Sequence, residues 1–154
     1  MNLRRAKGSV NPYLELLLFR NRIQLATGDA LYSDGTSYLP VSATVKHLKT
    51  WLPAAKQVLV LGTGLGSIVH IFRQSGFAPH FTLVENDRMV LEWALEFMSE
   101  EYQKNITPVC ADARAIINKN ADSYDLIVID IFKGTVVPPF VKTEAFLTRC
   151  HESL

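Results

Sequence analysis

Apolar positions along this 154-residue chain change their spacing near residue 57. Before that point, two short apolar runs at 13–19 and 22–26 flank Arg20-Asn21, and Asn tolerates the positive φ of a tight hairpin turn. Thr27-Gly28-Asp29 signals a second turn into the short run Ala30-Leu31-Tyr32-Ser33. Residues 1–40 are therefore expected to form a small β-hairpin appendage. Asp34-Gly35-Thr36-Ser37 reads as a loop, and Pro40 suits the first turn of a helix. Val41, Val45 and Leu48 share one face of that helix, and Pro53 ends the segment.

From Gln57 the pattern alternates between strand and helix, as in a parallel sheet covered on both faces. The strands predicted are 57–61, 81–84, 106–110 and 126–129, the last an unbroken apolar run suited to burial on both sides. Between them, a helix over 67–75 carries Ile68, Ile71 and Phe72 and stops at Gly76. A second repeats Met89, Val90, Trp93, Ala94, Phe97 and Met98 at helical spacing while Glu92, Glu96 and Glu100 face water. A short helix follows at 113–118. Thr143 caps a final one carrying Phe146, Leu147 and Cys150. The domain expected is a Rossmann-like α/β unit over residues 41–154.

Composition narrows the partners. An apolar share of 48% and a charged share of 20% suit a globular core. Sixteen Lys and Arg against fifteen Asp and Glu leave a net charge of +1, too little for a nucleic-acid footprint. Arg4, Arg5 and Lys7 read as a solvated basic tail. Cys110 and Cys150 are too few for a disulfide framework, and His47, His70, His80 and His151 lack ligand spacing, so no metal is expected. No run reaches the roughly 20 apolar residues of a membrane span, and no cleavable signal is visible. A cytoplasmic protein with free thiols is expected.

Candidate chemistry gathers at the carboxyl ends of the four predicted strands, where open α/β sheets bind ligands. The first strand runs into Gly62-Thr63-Gly64-Leu65-Gly66, which lets backbone N–H groups and a helix N-terminus approach a nucleotide. The dinucleotide fingerprint would place its third glycine at Ser67, which argues against a nicotinamide enzyme. Glu85 follows the first glycine at about the 20-residue offset from which an acid reaches ribose hydroxyls, with Asn86 beside it. It can also serve as a helix-start residue. Asp112, followed by Ala113, can accept an adenine amine or cap the next helix. Asp130 ends the most apolar strand, where a carboxylate is costly unless it meets a cation. That cation is a sulfonium, an incoming ammonium, or Lys133.

At these residues the chain resembles the spermidine synthases and their spermidine-synthase-like relatives on the class I methyltransferase fold. The resemblance rests on Leu31-Tyr32-Ser33 through Tyr38, Val58 to Gly66, Leu83-Val84-Glu85-Asn86-Asp87, Asp112-Ala113-Arg114, and Tyr124 to Asp130 followed by Pro138 and Glu144-Ala145-Phe146. It implies binding of S-adenosylmethionine or decarboxylated S-adenosylmethionine by Gly62, Thr63, Gly64, Gly66, Glu85, Asn86, Asp112 and Ala113. Glu85 would hold the ribose and Asp112 the adenine, with Asp130 the catalytic residue at an amine nucleophile. Two departures stand out. The family has an Asp where this chain has Leu65, and its Asp-Ser-Ser-Asp-Pro pattern is here reduced to Asp130-Ile131-Phe132-Lys133. A polyamine dication needs several carboxylates to replace its water, so these losses argue against spermidine synthesis while leaving the adenosyl pocket intact.

The resulting expectation is a transferase moving a methyl or aminopropyl group to a small-molecule acceptor such as an amine. The alternative is a non-catalytic adenosyl-binding or assembly module. A methyltransferase sheet continues past its fourth strand, so Leu126-Ile127-Val128-Ile129 would form an exposed edge. A chain truncated there, or a homodimer covering that strand through the 13–26 hairpin, is the corresponding expectation.

Overall fold

The computed structural model describes residues 1–119 and 123–154. Its amino-terminal part is a four-stranded antiparallel sheet: β1 (Asn2–Ala6), β2 (Leu14–Phe19), β3 (Arg22–Ala26) and β4 (Leu31–Ser33), in that spatial order. The β2–β3 turn is tight, with Arg20 and Asn21 both at positive φ (48° and 60°), the primed-turn geometry that matches strand twist. Arg4 and Arg5 do not lie in the solvated basic tail expected of them. Instead Asn2–Ala6 pairs with β2, Arg4 lies across the Trp93 ring and reaches Glu96 at 2.7 Å, and Arg5 meets Glu15. The strand has no apolar alternation because four of its five residues are exposed, so period-2 patterning had nothing to register.

The second sheet is parallel, in the order β7-β6-β5-β8. Its strands are β5 (Gln57–Leu61), β6 (His80–Glu85), β7 (Ile106–Cys110) and β8 (Leu126–Ile129). The helices are α1 (Leu39–His47), α2 (Ser67–Gln74), α3 (Arg88–Glu96), α4 (Glu100–Gln103), α5 (Ala113–Lys119) and α6 (Glu144–Glu152). Alternation on β5 separates two cores. Val58 and Val60 pack with Ile68, Ile71, Phe72 and Phe81 on one face, while Leu59 and Leu61 pack with Val84, Ile117 and Phe146 on the other. Each such side chain contributes about 1.5–3 kcal/mol on full burial. The anticipated acidic row of α3 is interrupted: Ser99 starts a new helix by accepting from the Tyr102 N–H, so Glu100 belongs to α4. On α6, Phe146 and Cys150 are buried but Leu147 is exposed.

A third cluster joins the two sheets. Leu14, Leu16 and Leu25 of the antiparallel sheet close on Leu65, Val90 and Trp93. Among the described residues, no helix is long and apolar enough to cross a membrane. Among the described residues β8 pairs only with β5 and lies at the sheet edge, with all four of its residues half-buried.

Candidate functional site

The order of strand addition in the parallel sheet reverses between β5 and β8: the chain passes from β5 outward through β6 to β7, then returns to the other side of β5. Ligands of open α/β sheets bind at such switch points, beyond the carboxyl ends of the strands. Here Leu61 sits opposite Ile129 and Val84, and Glu85 opposite Cys110. That register brings Gly62, Glu85, Asp112 and Asp130 to one rim. They line a cavity of about 640 Å³, within the usual range for a small-molecule site. Gly64, Asn86 and Ala113 line it too.

Thr63 and Gly66 do not. Thr63 is buried, its hydroxyl donating to the Val84 carbonyl, while the space beside the Gly66 Cα is filled by the Met98 side chain. Leu65 is likewise turned inward, 5% exposed and packed on Leu14, Leu16 and Leu25, so the loop position that carries an Asp in the resembling family here fastens the amino-terminal sheet. Ser67, which replaces the dinucleotide glycine, is buried with its hydroxyl 2.6 Å from that of Ser33.

Glu85 is bound into the glycine loop. One carboxylate oxygen accepts from the Thr63 N–H (3.1 Å) and the Gly64 N–H (3.4 Å), and the other from the Asp87 N–H (3.1 Å). Burial pushes its carboxyl up, and those three N–H groups pull partly against that rise. The cap of α3 is Asp87, whose side chain accepts from the Met89 N–H. A carboxylate has about four acceptor directions, so Glu85 keeps capacity for a hydroxyl in the cavity. Replacement of Glu85 by Ala is expected to weaken an adenosyl ligand by about 1.5–3 kcal/mol and to lower thermal stability, because three N–H groups lose their acceptor. Calorimetry and a thermal melt together check both effects.

Asp112 combines two roles. It accepts from the Arg114 N–H at the start of α5, and it is gripped by the Arg114 guanidinium at 2.7 and 3.0 Å, which holds its carboxyl below the ordinary range despite partial burial. Arg114 in turn stacks over Phe140 at 4.8 Å. The pair forms one wall of the cavity.

Asp130 is anchored through its backbone, its N–H donating to Leu61 at 2.8 Å. Among the described residues no ion pair joins it to Lys133. Its side-chain partner is Tyr38, whose hydroxyl donates at 3.2 Å from the start of α1. Burial raises the Asp130 carboxyl above its ordinary value, with the Tyr38 hydrogen bond opposing, and burial with the adjacent carboxylate holds the Tyr38 phenol well above its own. The sequence marked Tyr38 only as the end of a matching segment. The partners lie 92 positions apart, a separation no periodicity reports.

No protein-family model matches the chain. It is 31% identical over 106 residues to an N-terminal histidine N-methyltransferase of Emericella nidulans, covering 66% of this chain and 18% of that protein. A polyamine aminopropyltransferase of Vibrio vulnificus is 27% identical over 105 residues, covering 66% and 35%. Among solved structures, a probable spermidine synthase from Corynebacterium glutamicum superposes with TM-score 0.79 at 17% identity, over 98% of this chain and 60% of that one. A SAM-dependent methyltransferase from Agrobacterium tumefaciens gives TM-score 0.62 at 21% identity, over 92% and 49%. The fold is that of the class I methyltransferases. Within that class it takes the spermidine-synthase-like form, an antiparallel amino-terminal sheet attached to the parallel one. The chain spans about a third or less of the length of these two curated relatives.

Proposed function

We propose that this chain binds S-adenosylmethionine or its decarboxylated form and takes part in moving a methyl or aminopropyl group to a small-molecule amine. The observation that carries the reading is the placement of Asp130 and its Tyr38 partner in the same cavity rim as the Gly62 to Gly64 turn and Glu85. The names of the relatives point the same way, one specifying N-methylation of an N-terminal histidine and the other aminopropyl transfer. In this scheme Glu85 meets the ribose hydroxyls, and the Asp112–Arg114 wall with Ala113 faces the base.

The donor supplies a carbon activated by its sulfonium. An amine nitrogen attacks that carbon in line, the carbon–sulfur bond breaks with its electron pair going to sulfur, and the nitrogen's surplus proton passes to Asp130. Much of the rate then comes from holding nitrogen and carbon in line, worth roughly 7–11 kcal/mol in well-aligned systems. A base for that proton works best with a pKa raised towards the operating pH, which is the direction burial imposes on Asp130.

Activity should therefore fall as pH drops through the raised Asp130 pKa and the carboxylate protonates. Tyr38→Phe removes the one hydrogen bond that lowers this pKa, so the acid limb of the kcat/KM profile should move to higher pH. An unmoved limb would take Tyr38 out of the scheme. The test of the reading itself is titration calorimetry with S-adenosylmethionine, decarboxylated S-adenosylmethionine and methylthioadenosine. Micromolar to submillimolar binding of at least one is expected, and no heat from any of them at millimolar concentration overturns it.

A further inference from the structure

Asp87 is wholly buried, yet it does not line the cavity and has no part in the scheme above. Its carboxylate accepts from the backbone N–H groups of Ser9 (3.1 Å), Val10 (3.1 Å) and Asn11 (2.8 Å), from the Asn11 side-chain amide (3.1 Å) and from the Ser9 hydroxyl (3.4 Å). The Met89 N–H of α3 adds another donor. Burial alone would raise this carboxyl, but the donors of Asn11, Val10 and Ser9 outweigh it and hold it below the ordinary range. A helix cap needs one or two such bonds. The remainder grip the loop between β1 and β2, and Gly8 is packed so closely that a Cβ there would strike the Asp87 carboxylate.

That loop is part of the cavity wall, through Val10 and Asn11. Asn11 also passes the connection on. Its side-chain oxygen accepts from the Tyr32 hydroxyl at 3.4 Å, and the same hydroxyl accepts from the Gly134 N–H at 2.8 Å, in the loop that begins at Asp130. A hydrogen-bonded belt thus runs Asp87–Asn11–Tyr32–Gly134, from the corner beside Glu85 to the loop beyond Asp130.

We infer that Asp87 is a positioning residue for the adenosyl site: it contacts no ligand, but it roots the belt that sets the amino-terminal loop against Glu85 and against the Asp130 loop. The inference rests on the adenosyl reading of the cavity. It makes the loop that carries Val10 and Asn11 part of the ligand site, with ligand binding and the seating of this loop linked. A ligand bound only when the loop is seated must in turn stabilise the seated loop.

Two measurements on the same protein test it. The first is the dissociation constant of S-adenosylhomocysteine for wild type and for Asp87→Asn, by calorimetry at a temperature where circular dichroism shows both folded. The second is the rate of trypsin cleavage after the exposed Lys7, with and without that ligand. Asp87→Asn should weaken the ligand tenfold or more and speed cleavage at Lys7. In wild type, saturating ligand should slow that cleavage. If Asp87→Asn does not fold, Asn11→Asp, which sets a second carboxylate against Asp87 without entering the core, is expected to give the same two changes.

A residue that serves only the fold would lower the melting temperature while leaving the dissociation constant and the ligand's protection of Lys7 unchanged. That result overturns the inference. Wild type that binds none of the adenosyl compounds fails the functional reading instead, and the ligand-free cleavage rates of the two proteins then show separately whether Asp87 holds the loop.

Discussion

Asp130→Asn should reduce transfer by a factor of about 10² to 10⁴, the usual contribution of a positioned general base, while changing donor affinity by less than about twofold. The replacement keeps shape and still accepts from the Tyr38 hydroxyl, so the wall of the cavity stands. Only the proton acceptor is lost. Stability supplies the control. Because burial raises the Asp130 pKa in the folded chain, folding favours the protonated form, and stability falls as pH rises from the unfolded value through the folded one. Above that range the ionised side chain is a burden on the fold, and a neutral amide relieves it. The expected result is a melting temperature equal to or above wild type together with loss of transfer, the pattern of a group retained for chemistry. A variant that melts lower and turns over normally would make Asp130 a structural residue.

The parallel sheet was legible because its signals are local. Leu126–Ile129 is a continuous apolar run, the glycines mark a strand-to-helix turn, and Glu85 ends its strand while Asp130 and Asp112 follow theirs by one and two residues. Placing four strand ends on one rim required only the topology rule for open α/β sheets. What the sequence withheld depends on partners far along the chain. Asp87 stands in the sequence only as the end of a matching segment, and its loop donors lie 76 to 78 positions earlier. Leu65 read as a missing carboxylate until the antiparallel sheet closed over it. β1 was hidden for the opposite reason: an exposed strand held by Arg4, Arg5 and backbone pairing needs no apolar face, and without one it has no period to detect.

The largest structural effect is expected from Gly62→Ala. Gly62 has φ of 93°, where a side chain is strained whatever the space, and an added Cβ would meet the Asp130 carbonyl. Neither backbone can yield. The Gly62 N–H donates to Val84 at 2.9 Å and the Asp130 N–H to Leu61 at 2.8 Å, so a shift in either one breaks a sheet bond at the switch point. Backbone strain of this kind costs about 1–3 kcal/mol, and the collision adds to it, so a loss of about 2–4 kcal/mol is expected. For a chain of this length that lowers Tm by roughly 5–15 °C. Displacing the Gly62 to Gly64 turn from Glu85 should also abolish measurable adenosyl binding in whatever fraction stays folded. The contrast with Gly66 is instructive: at φ of 73° it shares the backbone strain, but the obstructing atom is the methyl end of Met98, a flexible side chain, so Gly66→Ala should cost less. Gly28 has open space around it, and Gly28→Ala should stay within about 0.5 kcal/mol of wild type. Differential scanning calorimetry on the three variants, with ligand titration, orders them. A Gly62→Ala protein that melts and binds like the Gly28 control would refute the close approach of β5 and β8 on which the site depends.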